Sequence, residues 1–265
     1  MRLRLPALHG AGLPGVAAAM CVGLGFALLA GCGGDPEPPS GPGLPSQADL
    51  RTYFEAITSG DPEQVTKAEE IAADGSPAQA YARFIGLATT AWAAAGEDAP
   101  ADVEVEDVDR GFKACVSDDR CATWTDLEGK DGKLTSFSVS GIMLDDSFVD
   151  LTGQAPISSE GLYDVQPEYA YRLPQSGVLE VVLTITAAEV GLSARPGTYI
   201  EGDQVLKGSQ AAGPALIKAG RTSPVMLVFP GAEDAKLDGQ VTFALKIGGA
   251  GSDSIGFGLA DPAVS

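Results

Sequence analysis

Apolar residues recur at helical spacing between Leu50 and Trp92 and alternate with polar ones from Val103 onward, so the chain reads as helices first and strands afterwards. Ser46 followed by Asp49 forms a capping-box-like start ahead of Leu50, Tyr53, Phe54 and Ile57 on one helical face. Asp61-Pro62 supplies a cap and an N-terminal proline for a second helix, which Gly75 is placed to close. Ser76-Pro77 opens a third, in which Tyr81, Phe84, Ile85, Ala88, Ala91 and Trp92 keep helical spacing until Gly96. One apolar stripe per helix predicts that this face, aromatic rings included, packs into a core rather than lining a ligand cavity.

The strands follow from alternation and from turn residues. Val103 and Val105 alternate with acids, residues 112–116 and 122–127 flank a cysteine pair, and Asp131-Gly132 marks a hairpin ahead of residues 134–139. Further on, residues 177–186 form a long, nearly unbroken apolar strand. Residues 223–229 and 241–247 give two more, separated by turns rich in Gly and Pro, as in a β-sandwich. The fold class predicted is α+β: an N-terminal helical plus antiparallel sheet domain over residues 47–140, then an all-β sandwich over 141–265.

The start of the chain has a different character. Arg2 and Arg4 precede an apolar run over residues 16–30, which Gly23 and Gly25 interrupt and which is short for a bilayer span. It ends in Leu29-Ala30-Gly31-Cys32, which resembles the lipobox of bacterial lipoprotein leaders. That resemblance implies a signal peptide over residues 1–31, a diacylglyceryl thioether on Cys32, and attachment to the extracytoplasmic face of the cell membrane through that lipid. Residues 32–46 are mostly Gly, Pro, Ser and acid, a composition that predicts a disordered tether.

Composition then removes several chemistries. The one histidine, His9, falls in the leader, so the mature chain would lack imidazole bases, Ser-His-Asp triads and His-liganded zinc. Of four cysteines, Cys21 leaves with the leader and Cys32 carries lipid. Cys115 and Cys121 remain as an even pair in an oxidising compartment, and a structural disulfide is predicted over a redox pair because the spacing is not Cys-x-x-Cys. The net charge is −19, and removing the leader takes away two arginines and no acid. Such a surface repels polyanions, and no Lys/Arg cluster offsets it, so no nucleic acid partner is expected.

Two stretches resemble known families. Residues 53–62 (Tyr-Phe-Glu-Ala-Ile-Thr-Ser-Gly-Asp-Pro), with Asp131-Gly132-Lys133-Leu134 ahead of a strand, resemble the nuclear transport factor 2-like fold, which implies helices packed on a curved sheet around a pocket. Pro174-Gln175-Ser176-Gly177, the strand after it, and Gly220-Arg221-Thr222 before residues 224–229 resemble the immunoglobulin-like, telokin-like domains of extracytoplasmic bacterial lipoproteins. That likeness implies a binding or stabilising module and a location more than an activity.

Candidate chemistry is sparse. Glu97, Asp98, Asp102, Glu104, Glu106, Asp107 and Asp109 raise calcium as a ligand, but they lack the spaced Asp-x-Asp-x-Asp-Gly pattern and read as a solvated face. No Ser-x-x-Lys occurs, Gly191-Leu-Ser193-Ala-Arg195 lacks the second glycine of a nucleophile elbow, and Gly248-Gly249-Ala-Gly251 reads as a turn. The function expected is a non-enzymatic, membrane-anchored binding or interaction module without metal or cofactor, whose partner is an envelope protein or a small ligand. The alternative is a hydrolase of envelope glycans using paired carboxylates, for which Asp145 with Asp146, or Glu160 with Asp164, would be the sort of pair required.

Overall fold

The computed structural model describes residues 37–97, 103–117, 120–248 and 251–260. The leader, Cys32 and the first residues of the tether therefore lie outside the described residues, as do Asp98 and Asp102 of the acidic run and Gly249 of the glycine turn.

The three helices form where capping and periodicity place them. In α1 (Gln47–Thr58) the Ser46 hydroxyl accepts from the Asp49 N–H and donates to its carboxylate, so both ends of the first turn are tied. In α2 (Pro62–Ile71) the Asp61 carboxylate accepts from the Glu63 N–H. In α3 (Pro77–Ala94) the Ser76 hydroxyl accepts from the Gln79 N–H, and Gly96 follows at φ 80°. Only the end of α2 departs from expectation. It stops before Gly75 because Ala72 turns extended and bridges Leu134, while the Ala73 N–H donates to the Leu134 carbonyl at 2.8 Å.

The next segment is an antiparallel meander of β1 (Val105–Val108), β2 (Gly111–Ser117), β3 (Arg120–Lys130), β4 (Lys133–Val139) and β5 (Ile142–Met143), hydrogen-bonded in that order. Asp131 and Gly132 make the β3–β4 turn at φ 54° and 77°, which is why an Asp-Gly pair sits there. Phe112, Ala114, Trp124, Leu134, Phe137 and Val139 turn one face of this sheet onto the helices.

A short helix α4 (Leu144–Ser147) leads into β6 (Phe148–Asp150), β7 (Ile157–Ser159), β8 (Tyr163–Leu173) and β9 (Val178–Ala187). After these come β10 (Leu192–Ala194), β11 (Thr198–Glu201), β12 (Gln204–Lys207), β13 (Gln210–Ala212), β14 (Arg221–Phe229), β15 (Gln240–Ile247) and β16 (Gly251–Gly258). They build two further antiparallel sheets among the described residues: a central sheet ordered β13-β14-β9-β8-β6, with β7 also on β8, and an outer sheet ordered β10-β15-β11-β12, with β16 also on β15. Leu179, Val181, Leu183 and Ile185 of the central sheet meet Tyr199, Val241, Phe243 and Leu245 of the outer one in a core of their own. This is an arrangement compatible with an immunoglobulin-like sandwich.

The central sheet is apolar on both faces. On β9, Val182 points away from the sandwich core and joins the core of α1, α3 and the meander, as do Met226 on β14 and Phe148 on β6. On β8 a bulge between Pro167 and Tyr169 changes the phase. Val165 before the bulge and Ala170 after it face the sandwich, which leaves Tyr169 and Tyr171 facing α3. Tyr81 of α3 lies between Phe137 of the meander, at 5.5 Å between ring centroids, and Tyr171 of the central sheet, at 5.3 Å. Phe84, one turn on, meets Phe148 and Tyr171. One apolar core thus runs through residue 140, and the described residues belong to one compact unit.

The tether is only partly the free chain its composition suggests. The Glu37 carbonyl accepts from the Arg110 N–H at 2.8 Å, and the Gly43 carbonyl accepts from the Gly132 N–H at 3.0 Å. Gly43 and Gly129 allow the approach: a Cβ on Gly129 would lie 2.6 Å from the Leu44 Cα. Leu44 is half-buried against the meander core. Backbone hydrogen bonds, the Glu37–Arg110 ion pair, half-buried Leu44 and buried Pro45 hold this stretch in place.

Cys115 and Cys121 stand directly opposite on β2 and β3 with their sulfurs at disulfide distance, 2.07 Å.

Because α3 is covered from both sides, a fragment ending at residue 140 would expose to water the sides of Tyr81 and Phe84 that pack on Phe148 and Tyr171. We expect that fragment to show the narrow amide dispersion of an unfolded chain. A folded fragment with dispersed resonances would mean that the second face of α3 is dispensable.

Candidate functional site

A groove of about 530 Å³ opens between the C-terminal end of α1, the outer half of α3 and the central sheet. Ile57, Phe84, Ile85, Ala88 and Trp92 give it apolar walls, Thr58 and Thr89 add hydroxyls, Glu97 stands at the rim, and Glu180 of β9 completes the lining. Its volume falls in the range of small-molecule sites.

Glu180 is there because of strand geometry. It shares the face of Val182, two residues on, and that face of β9 is turned to the helices. Its neighbours across the strands are Tyr171 and Val228. The residue is half-buried, and among the described residues no group hydrogen-bonds or pairs with its carboxylate. Burial raises its pKa from 4.5 to about 7. The same carboxylate helps keep the Tyr81 and Tyr171 hydroxyls protonated, although burial of the rings is the larger cause for both. Glu168, at the β8 bulge, is also raised by burial, but the Thr184 hydroxyl offsets this by hydrogen-bonding it. Glu180 has no such partner.

The aromatic stripe on α3 therefore divides. Tyr81 and Phe84 are buried in the core as periodicity predicts, Phe84 with one side on the groove, whereas Trp92 is half-buried and lines it. Glu180 itself escaped the sequence reading. Its signal is a lone acid inside Val178-Leu-Glu-Val-Val-Leu, a run apolar enough to be covered on both faces.

The other candidates lie apart from this groove. Asp145 and Asp146 are both exposed on α4. Glu160 is exposed in the β7–β8 turn, and Asp164 is exposed on β8, accepting from the Ser158 hydroxyl. Neither pair lines the groove. In the acidic run, Asp107 pairs with Arg51 at 2.6 Å, and no cluster of metal-ligating side chains occurs among the described residues. Cys115 and Cys121 sit at the far end of the β2–β3 hairpin and do not line the groove either.

No family model matches the chain, and no curated protein matches it. Among solved structures it is similar to the GAE domain of yeast GGA1, at 9% identity over 40% of this chain and 97% of that one, with a TM-score of 0.27. A likeness of that size identifies no shared function.

Glu180 makes stability depend on pH in a defined direction. In the unfolded chain it ionises near 4.5 and in the native state near 7, so the native state holds the proton more tightly across that window. Stability linked to this group is complete below the unfolded value and is lost as pH rises through 7, by up to about 3 kcal/mol. Glu180→Gln removes this term. Urea unfolding from pH 4.5 to 8 should show wild type losing about 2–3 kcal/mol relative to the variant, and a difference that stays constant with pH would contradict the burial of this carboxylate.

Proposed function

We propose that this protein is an extracytoplasmic lipoprotein, held to the cell membrane by lipid on Cys32, that works as a non-catalytic binding module. The observation that carries the binding part is the groove between α1, α3 and β9, apolar on its walls with an unpartnered carboxylate among them. A half-buried carboxylate with no partner costs stability, so a protein gains by leaving one at a groove only where something else will contact it.

The anchoring part rests on the leader and on Leu29-Ala30-Gly31-Cys32. The immunoglobulin-like, telokin-like reading of the sandwich agrees with such a location, and the acidic surface suits a soluble body outside the cell. In this reading the sandwich stabilises, through the central sheet, the helices that carry the groove. Its partner is a small ligand in preference to nucleic acid or a broad protein surface.

Two measurements test this. Cys32→Ser should move the protein from the membrane fraction to the soluble fraction of its own cells, and continued retention would overturn the anchor. Native mass spectrometry of the protein isolated from those membranes should show a small-molecule adduct that is lost in Thr89→Trp, which fills the groove. Identical spectra for the two proteins would overturn the groove as the binding site.

A further inference from the structure

The lining of the groove also restricts what binds there. We propose that the groove takes an organic cation, a small amine with an apolar body, whose ammonium group meets the Glu180 carboxylate while its hydrocarbon lies against Ile57, Phe84, Ile85 and Trp92. This deepens the binding reading above and rests on it.

Charge is the first argument. Among the described residues the ionisable ones lining the groove are Glu180 and Glu97, both acids, with no lysine or arginine beside them. A carboxylate, phosphate or sulfate ligand would bring a second negative charge to an apolar site that already holds one poorly hydrated. An ammonium does the reverse, supplying the donors that Glu180 lacks and neutralising it.

The groups around Glu180 agree with this. Tyr171, paired with it across the strands, and Tyr81, which feels its charge, hold their protons and carry no charge that would compete for the carboxylate. Trp92 adds an aromatic wall of the kind that attracts cations to its face. A bare metal ion fits less well, because hard cations take six or more oxygen ligands and Glu180 offers one carboxylate within apolar surroundings. The volume, about 530 Å³, accommodates an amine with a short alkyl or aromatic body.

Calorimetry on the whole chain carrying Cys32→Ser tests this with three probes that share one apolar body: n-octylammonium, 1-octanol and octanoate, each below its aggregation concentration. At pH 8 we expect octylammonium to bind most tightly, Glu180→Gln to weaken it about tenfold or more, and Thr89→Trp to abolish it. If octanol or octanoate binds as well as octylammonium, or if Glu180→Gln leaves affinity unchanged, the cation assignment is overturned while the groove stays a binding site. Binding that survives Thr89→Trp places the amine elsewhere and overturns the proposal. If none of the three probes binds the wild-type groove, the proposal falls together with the binding reading beneath it.

Discussion

The packing of α3 between two sheets is the constraint on which the rest depends. Tyr81 buries its ring between Phe137 of the meander and Tyr171 of the central sheet, and Phe84 packs on Phe148 and Tyr171 of that central sheet. Removing one such ring from a core costs about 3–5 kcal/mol, a large share of the roughly 5–15 kcal/mol by which a domain is stable. The contact exists only because the bulge at Pro167–Tyr169 shifts β8 by one residue. Without that shift Tyr169 and Tyr171 would point into the sandwich core, where Val165 and Ala170 now sit. A single irregularity in one strand thus lets one sheet serve two cores.

Much of this was written locally in the chain. Ser46, Asp61 and Ser76 mark the helix starts, and Asp131-Gly132 marks the turn that the structure contains. The apolar runs that became β9, β14 and β15 were equally plain. What could not be read was β8, where Pro167 and the bulge break the alternation, and β16, whose Gly-Ser-Asp-Ser start has little strand character and is ordered by pairing with β15. The groove was hidden for a related reason. Periodicity identifies an apolar face of α3 but not that it meets two different sheets, nor that its outer end leaves Trp92 partly uncovered beside Glu180. Contacts across the chain decide both, and they leave no local pattern.

Most acids among the described residues are exposed to water, where a negative charge costs little and aids solubility. Glu180 is held differently, in a position where its strand neighbours are Tyr171 and Val228 and where hydration is poor. The same two-sided burial that makes β9 apolar is what turns an ordinary carboxyl into one that titrates near neutrality.

The strand orders carry one more consequence, for behaviour at high concentration. The central sheet, covered on both faces, meets solvent along its margins, where β13 and β6 are three residues each. The meander ends in β1 and β5, of four and two residues, and the outer sheet in the short β10 and β12. A margin that short offers few free N–H and C=O groups in register, so a neighbouring molecule finds little backbone to extend. The longer β16 is interrupted by glycines, and its Asp253 is engaged by the Tyr163 hydroxyl at 3.0 Å. Outside β16, crowded copies of this protein therefore find little backbone with which to zip together into shared sheets.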